Sequence, residues 1–339
     1  MMRSLRRTAT TLTVLSVLTA SCGRRAEPPP TAPPPPASAS TPDQTPRGPV
    51  QIEMKDVRLH MDDGIVLDIT RLRGEMVPVQ AAQPPVFDDP RSYVLRVSRA
   101  NMSMPMSSLT SLLNNHVFAG QHAALSDITV KVEDGRLVQK GTLHKGVALP
   151  FSMTATVSAA PDGRIRLHAQ SASVLGIPSK KLMDIFGLSL DDVVKIKDQR
   201  GVEIDGDDVL IDPGRVLPPP RIQGTLTSVD LANGQLNMTM SVSDGTADAQ
   251  LAPADAKSRH YVYFAGNQIR FGKLLMTNAD LQLIDADERD PFDFFPAKYR
   301  TQLVAGYSKN TSSGGLRTYM PDFNDVTPAT NLRPGRSRP

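Results

Sequence analysis

The sequence has no tryptophan and a single cysteine, Cys22, among its 339 residues. A disulfide needs two cysteines, so none can form within the chain to stabilise the fold. The local signatures of catalysis are also missing, since no G-x-S-x-G, H-E-x-x-H, C-x-x-C or G-x-x-x-x-G-K-[ST] pattern occurs. We therefore expect a protein without enzymatic activity, without a bound metal and without a cofactor.

The chain also has no excess of one charge once its first residues are set aside. Three of its 38 lysines and arginines are Arg3, Arg6 and Arg7, and the others equal the 35 acidic residues in number. A balanced chain has no long-range field that attracts phosphates. It also has no basic stretch with interleaved aromatic residues, so nucleic-acid binding is not expected.

The single cysteine lies where a bacterial lipoprotein signal peptide is cut and acylated. Residues 1–7 contain three arginines and form a positive n-region. Residues 8–20 form an apolar stretch that is too short to remain as a membrane-spanning helix. Ala20 and Ser21, directly before Cys22, resemble a lipobox.

We therefore expect residues 1–21 to be a lipoprotein signal peptide and Cys22 to be the lipid anchor to the membrane. Gly23 follows the cysteine where an acidic residue could stand, which is typical of lipoproteins sent to the outer membrane. The expected location is the bacterial cell envelope, facing the periplasm. An ordinary secretory signal cut after Ser21, which leaves Cys22 as a free thiol, is the alternative.

Proline dominates the segment that follows the cysteine. Residues 22–49 combine proline with alanine, serine and threonine, which predicts a disordered linker. At about 3.1 Å per residue in the polyproline II conformation, it could hold the body on the order of 80 Å from the membrane. A ligand for an SH3-type domain is the other interpretation of these prolines. Residues 324–339 predict a second disordered segment at the end of the chain.

From Val50 onward, apolar and polar residues alternate with the period of a half-buried strand, for example over residues 128–133 and 236–243. Between such stretches lie Asp-Gly or Asn-Gly pairs, which supply the positive φ angles that tight hairpins need. These pairs are Asp63-Gly64, Asp134-Gly135, Asp162-Gly163, Asp205-Gly206 and Asn233-Gly234. They predict antiparallel neighbours.

The fold class predicted is mostly β (α+β): a long curved antiparallel sheet or a β-sandwich-like body with two or three short amphipathic helices. Residues 50–250 are expected to form the curved antiparallel domain, and residues 251–323 to add further strands to the same body. The best internal breaks are Pro218–Pro220 and the polar residues 249–258.

Two stretches have helical spacing instead. After Pro105, apolar residues recur at helical intervals with Ser107 or Ser108 available as the N-cap. After Pro178 the same spacing recurs. Helices this short must lay their apolar sides on a sheet, so we expect them to cover its open side. The candidate lipid-binding residues on them are Leu109, Leu112, Leu113, Leu182, Ile185 and Phe186.

Three groups of polar residues are candidates for metal sites. Residues 205–208 read Asp-Gly-Asp-Asp, which could bind calcium, but a hairpin turn explains these residues without any ion and is the preferred interpretation. His116 and His122 have a metal-like spacing without a matching carboxylate. Residues 285–290 are acidic but lack the glycine and the distal glutamate of an EF-hand loop. We expect turns and solvated loops at all three places.

The order of these elements over about residues 125–240 resembles the LmeA-like phospholipid-binding proteins of the tubular lipid-binding superfamily. The stretches that carry the resemblance are residues 146–157, Asp162-Gly163, residues 164–172, 176–178, 182–190, 201–211 and 221–226. In that superfamily a curled antiparallel sheet and helices enclose acyl chains. The resemblance implies the same architecture and a phospholipid or other acyl-chain lipid as ligand.

The function expected is therefore that of a membrane-anchored envelope lipoprotein that binds or transfers a lipid without covalent chemistry. The alternative is a structural or assembly lipoprotein that binds an envelope protein partner, which an exposed apolar patch or an open strand edge would favour. A hydrolase comes third and requires a polar cleft with convergent histidine and carboxylate groups. The interior itself could be a cavity or a solidly packed core.

Overall fold

The computed structural model describes residues 48–120, 123–145, 147–175, 177–179, 201–241, 255 and 257–326. The predicted signal peptide, Cys22, nearly all of the linker and the last residues of the tail lie outside the described residues, as do Leu182, Ile185 and Phe186. Contacts divide the chain into Met1–Gln44 and Thr45–Pro339. All described residues belong to the second of these units.

Strands make up most of the described residues. In chain order they are β1 (Val50–Asp62), β2 (Ile65–Pro78), β3 (Tyr93–Pro105), β4 (Leu125–Glu133), β5 (Arg136–Lys145), β6 (Val147–Ala159), β7 (Ile165–Val174), β8 (Ile177–Ser179), β9 (Val202–Asp205), β10 (Asp208–Ile211), β11 (Arg221–Gln223), β12 (Leu226–Ala232), β13 (Gln235–Ser241), β14 (Tyr261–Phe271), β15 (Leu274–Asp285), β16 (Phe292–Phe294), β17 (Tyr307–Asn310) and β18 (Leu316–Met320). The helices are α1 (Met106–Leu112), α2 (Pro213–Val216) and α3 (Tyr299–Ala305). The predicted mostly β class with short helices is confirmed.

Eleven of the strands form the larger sheet, in the order β12-β13-β3-β2-β1-β14-β15-β18-β17, with β11 beside β3 and β16 beside β1. Three pairs in it are parallel: β11 with β3, β16 with β1, and β15 with β18. The other neighbours are antiparallel. The strands that follow residue 251 therefore extend the same sheet that β1 begins.

The smaller sheet has the order β4-β5-β6-β7-β10-β9, with β8 beside β7, and all of its pairs are antiparallel. Alternate residues along its strands are buried, as the period of two predicts. Most buried apolar residues of both sheets belong to one hydrophobic cluster, so the apolar faces of the two sheets share a core. Tyr261, Tyr263 and Ile284 of the larger sheet form a second, smaller cluster.

The turn residues act as predicted. The Asp-Gly and Asn-Gly pairs at positions 63, 134, 162, 205 and 233 all connect antiparallel neighbours. Each of the five glycines has a positive φ, for example 77° at Gly64 and 70° at Gly234. A residue with a side chain would be strained at such an angle, which is why glycine marks the hairpins in the sequence.

The helix predicted after Pro105 is α1, and it continues as a π-helical turn over Leu113–Val117. The prediction that Ser107 or Ser108 caps it is wrong, because the N-cap position is Pro105 and no side chain caps the helix. Ser108 is buried instead, and its Oγ accepts a hydrogen bond from the N–H of Val66 on β2 at 3.0 Å.

Candidate functional site

A cavity of about 100 Å³ lies in the core between the two sheets. The larger sheet lines it with Met104, Leu236 and Met238; the smaller sheet lines it with Leu137, Met153, Ile165, Leu167, Val202, Ile204, Val209 and Ile211. Gln139 is the one polar side chain among the described residues that line it. We call this space the first cavity.

Three of the six candidate lipid-binding residues lie at the first cavity. Leu109, Leu112 and Leu113 all line it, from α1 and the π-helical turn that follows. Their spacing of three and four residues places them on one side of the helix, which faces the core as expected. The other three candidates lie outside the described residues.

Side-chain hydrogen bonds hold α1 and its π-helical turn between the two sheets. The amide of Asn114 is bound to β4 twice: its Nδ2 donates to the carbonyl of Ile128 at 2.8 Å, and its Oδ1 accepts the N–H of Ile128 at 3.0 Å. Thr110 Oγ1 accepts the N–H of Val130 at 3.1 Å. Ser108 is hydrogen-bonded to β2, so the helical segment makes side-chain hydrogen bonds to the larger sheet as well as to β4 of the smaller sheet. The leucines that line the first cavity are therefore held in place by polar contacts.

We expect Asn114→Ala to destabilise the chain by about 1–3 kcal/mol, because it leaves two backbone groups of β4 without their partner. Asn115→Ala is the matched control, since Asn115 is the next residue and is exposed. The free energy of unfolding in urea measures both. Equal values for the two variants would show that the amide of Asn114 does not hold the helix.

A second cavity, of about 170 Å³, lies on the larger sheet. Its apolar walls come from β1, β2, β3 and β14, from the loop before β3, and from Pro219 and Pro220. His60 and Asp88 are polar groups in the lining. The sequence reasoning missed this cavity and treated the prolines only as a break between segments.

Aromatic rings form one wall of the second cavity. Phe87, Phe264 and Phe294 line it, and all three are buried. Phe87 contacts Phe264 edge to face, with ring centroids 5.6 Å apart, and stacks on Phe294 at 6.1 Å. Such pairs add about 0.5–1.5 kcal/mol each beyond the area they bury, so this wall is expected to be rigid.

Methionines separate the two cavities. Met102 lines the second cavity and Met104 lines the first, two residues apart on β3 and therefore on the same face of the larger sheet. Met238, which lines the first cavity, is the direct partner of Met102 in the pairing of β13 with β3. Methionine has three rotatable bonds and adapts to irregular spaces. We therefore expect the methionines at the boundary to change conformation more readily than the other residues that line the two cavities.

A group of buried polar residues lies beside the second cavity. His60 Nε2 is hydrogen-bonded to Asp293, which also accepts from Asn324, and the His60 ring stacks on Phe295 at 5.1 Å between centroids. Asp322 Oδ1 accepts the N–H of Asp293 at 2.7 Å. Burial, and then the nearby carboxylates, raise the pKa of Asp322 to about 7. Histidine and carboxylate thus meet here, as a hydrolase requires, but in a packed aromatic setting.

No group of three or more histidine, cysteine, aspartate or glutamate residues in the described part of the chain is arranged to hold a metal ion. At the Asp-Gly-Asp-Asp sequence, the β9–β10 hairpin turn is present, and Asp208 accepts hydrogen bonds from Arg166 and His168, each at 2.7 Å. None of the helices described has both the length and the apolar character needed to cross a membrane.

Comparison with protein-family models, with curated proteins and with solved structures finds no match to this chain. The resemblance to the LmeA-like proteins therefore stays a prediction that depends on the order of elements over about residues 125–240. The cavities and the residues that line them are the features of the described chain that point to a function.

Proposed function

We propose that this chain binds or transfers a lipid by its acyl chains, reversibly and without covalent chemistry. The observation that supports this most directly is the pair of cavities on the inner face of the larger sheet, both lined almost entirely by apolar side chains. Ligand pockets bury most of their ligand against such walls, with a few polar groups to orient it. A hydrocarbon tail is the ligand chemistry that matches these walls.

The volumes of the two cavities limit the length of hydrocarbon that can enter them without movement of side chains. A dry apolar cavity of roughly 150 Å³ admits a benzene molecule. At about 100 and 170 Å³, each cavity in this conformation takes a short stretch of hydrocarbon. A longer tail must displace side chains, and Met102, Met104 and Met238 at the boundary are the ones that can move at the smallest cost. Loading therefore includes a rearrangement of these methionines.

The predicted anchor completes the proposal. Two or three acyl chains on Cys22 would hold the chain at a membrane stably, whereas one would not. With residues 22–49 as a tether, the body could reach lipid at the membrane surface on the periplasmic side of the cell envelope, with the outer membrane as the expected site. In this proposal the anchor supplies proximity to lipid and the cavities supply binding.

Native mass spectrometry tests the proposal. The full chain with Cys22→Ser is purified without detergent, so that an acyl chain attached to the cysteine is not mistaken for a bound lipid. We expect a species heavier than the chain by the mass of one phospholipid. An acyl tail that enters an apolar cavity is removed from water, which favours binding. A chain that is free of lipid and takes up none from added vesicles contradicts the proposal.

A specific observation favours the second candidate function, binding to an envelope protein partner. β17 is the last strand of the larger sheet, and all four of its residues are exposed. Tyr307, the first residue of β17, is 53% exposed, and Val304, three residues before it in the chain, is 82% exposed. An open edge of this kind can accept a strand from a partner. A lipid-free chain in the mass spectrometry experiment would favour this function.

A further inference from the structure

A polar pocket of about 330 Å³ lies where the β6–β7 turn, α2 and β11 meet. Three arginines line it, one from each of these places: Arg164, Arg215 and Arg221. Two aspartates, Asp162 and Asp212, line it as well. We call it the basic pocket, because arginine outnumbers aspartate in its lining.

The carboxylates of the basic pocket are occupied by contacts within the fold. Arg164 Nε donates to Asp162 at 2.7 Å, and Arg164 Nη1 donates to Glu203 at 2.5 Å. The Arg164 guanidinium holds the pKa of Asp162 below its ordinary value. Asp212 Oδ1 accepts the N–H of Gly214 at 2.9 Å at the start of α2.

Arg221 differs from Arg164. It is exposed, and among the described residues no carboxylate lies within ion-pair distance of its guanidinium. At Gly214, α2 packs closely against β11, the strand that begins at Arg221. A Cβ at position 214 would lie 2.3 Å from the carbonyl oxygen of Ile222. Only glycine permits this approach of α2 to β11, and the approach places Arg215 and Arg221 at the same pocket. Arg215 and Arg221 therefore both line one polar pocket, and Arg221 is the one without a carboxylate partner among the described residues.

The position of the basic pocket suggests its ligand. Pro213 lines both the basic pocket and the first cavity, and Ile222 lines both the basic pocket and the second cavity. Within α2, Arg215 lines the basic pocket while Val216 lines the first cavity. One basic space thus borders two apolar ones. A lipid with two acyl chains joined at one phosphate has the same arrangement.

We propose that the basic pocket binds the phosphate of a phospholipid through Arg221, while the two acyl chains of the lipid enter the first and second cavities. This inference rests on the proposed function and goes beyond it, because it assigns the headgroup site and its ligand class. Guanidinium groups bind phosphate oxygens in pairs of parallel hydrogen bonds, and these charge-assisted bonds are stronger than neutral ones. Arg164, held by two carboxylates, positions the β6–β7 turn that closes the pocket.

The test compares two lipids that share acyl chains. The full chain with Cys22→Ser is incubated with phosphatidylglycerol or with the corresponding diacylglycerol, which lacks the phosphate, and the loaded fraction is measured by native mass spectrometry. We expect phosphatidylglycerol to bind at least about tenfold more tightly. Arg221→Gln is expected to weaken the binding of phosphatidylglycerol about tenfold and to leave the binding of diacylglycerol unchanged.

Arg166→Gln is the matched control, because Arg166 lies on β7, is exposed and does not line the basic pocket. It should leave the binding of both lipids unchanged. If diacylglycerol loads as well as phosphatidylglycerol, the headgroup site is overturned and the proposed lipid function stands. If neither lipid loads, the proposed function fails and the headgroup site fails with it.

Inorganic phosphate distinguishes a lipid headgroup from a free anion. We expect it to compete with phosphatidylglycerol only at high concentration, because it lacks the acyl chains that supply most of the binding free energy. If phosphate alone binds and Arg221→Gln abolishes this binding, while phosphatidylglycerol has no advantage over diacylglycerol, the pocket takes a free phosphate. That result overturns the assignment to a lipid.

Discussion

Val209→Trp is expected to reduce lipid loading by at least about tenfold, a cost of about 1.4 kcal/mol in binding. Val209 lies on β10 opposite Leu167 of β7 and Ile204 of β9, and all three line the first cavity. An indole at this position fills space that a tail would occupy. Overpacking costs about 1–3 kcal/mol in stability, so the variant is expected to remain folded.

Leu210→Trp is the matched control for this prediction. Leu210 is the next residue, it is half-buried like Val209, and its strand partners Arg166 and Glu203 do not line the first cavity. The chain has no tryptophan of its own, so the fluorescence of each variant reports on one indole. We expect blue-shifted emission for Val209→Trp alone. Unchanged lipid loading in a variant with this buried emission would exclude the first cavity as a lipid site.

Asp322→Asn is expected to stabilise the chain near pH 8 and to have little effect near pH 4. Burial raises the pKa of Asp322 from 3.8 to about 7, so between these values the folded chain holds a proton that the unfolded chain has lost. The contribution of this aspartate to stability therefore falls as the pH rises from about 4 to about 7. At about 1.4 kcal/mol per pKa unit, the expected gain at pH 8 is on the order of 2–4 kcal/mol.

The geometry at Asp322 suits this substitution, since an asparagine oxygen can still accept the N–H of Asp293. Nearby carboxylates of Asp285, Asp290 and Asp293 would no longer face a second negative charge. Urea unfolding from pH 4 to pH 8 measures the effect, with the exposed Asp325→Asn as control. A difference between Asp322→Asn and the parent that stays constant over this range would mean that Asp322 is ionised in the folded chain at neutral pH.

The hairpin turns and the helix after Pro105 could be predicted from the sequence, because each depends on residues that are close together in the chain. The hairpins at Gly64, Gly135 and Gly234 follow from a backbone angle that only glycine adopts without strain. The helix after Pro105 follows from leucine spacing alone. Its cap was predicted wrongly, because the choice between capping a helix and bonding to β2 depends on which strand lies beside Ser108.

The candidate site was predicted in part, for a related reason. Leu109, Leu112 and Leu113 were chosen from their spacing, and all three line the first cavity. The second cavity was missed, because its walls join β1, β14 and Pro219, which are far apart in the chain. The basic pocket was missed too, since Arg164 and Arg221 look like isolated solvated charges in the sequence.

By itself, the sequence determined the alternation of the strands, the positions of the tight turns and the apolar side of α1, because each depends on residues within a few positions of one another. Only the tertiary structure decided that β14 pairs with β1 and β13 with β3. The same long-range pairing decided that two apolar cavities adjoin one pocket lined by arginines. Pairing between distant strands is selected by the packing of the whole core, and no local pattern of side chains encodes it.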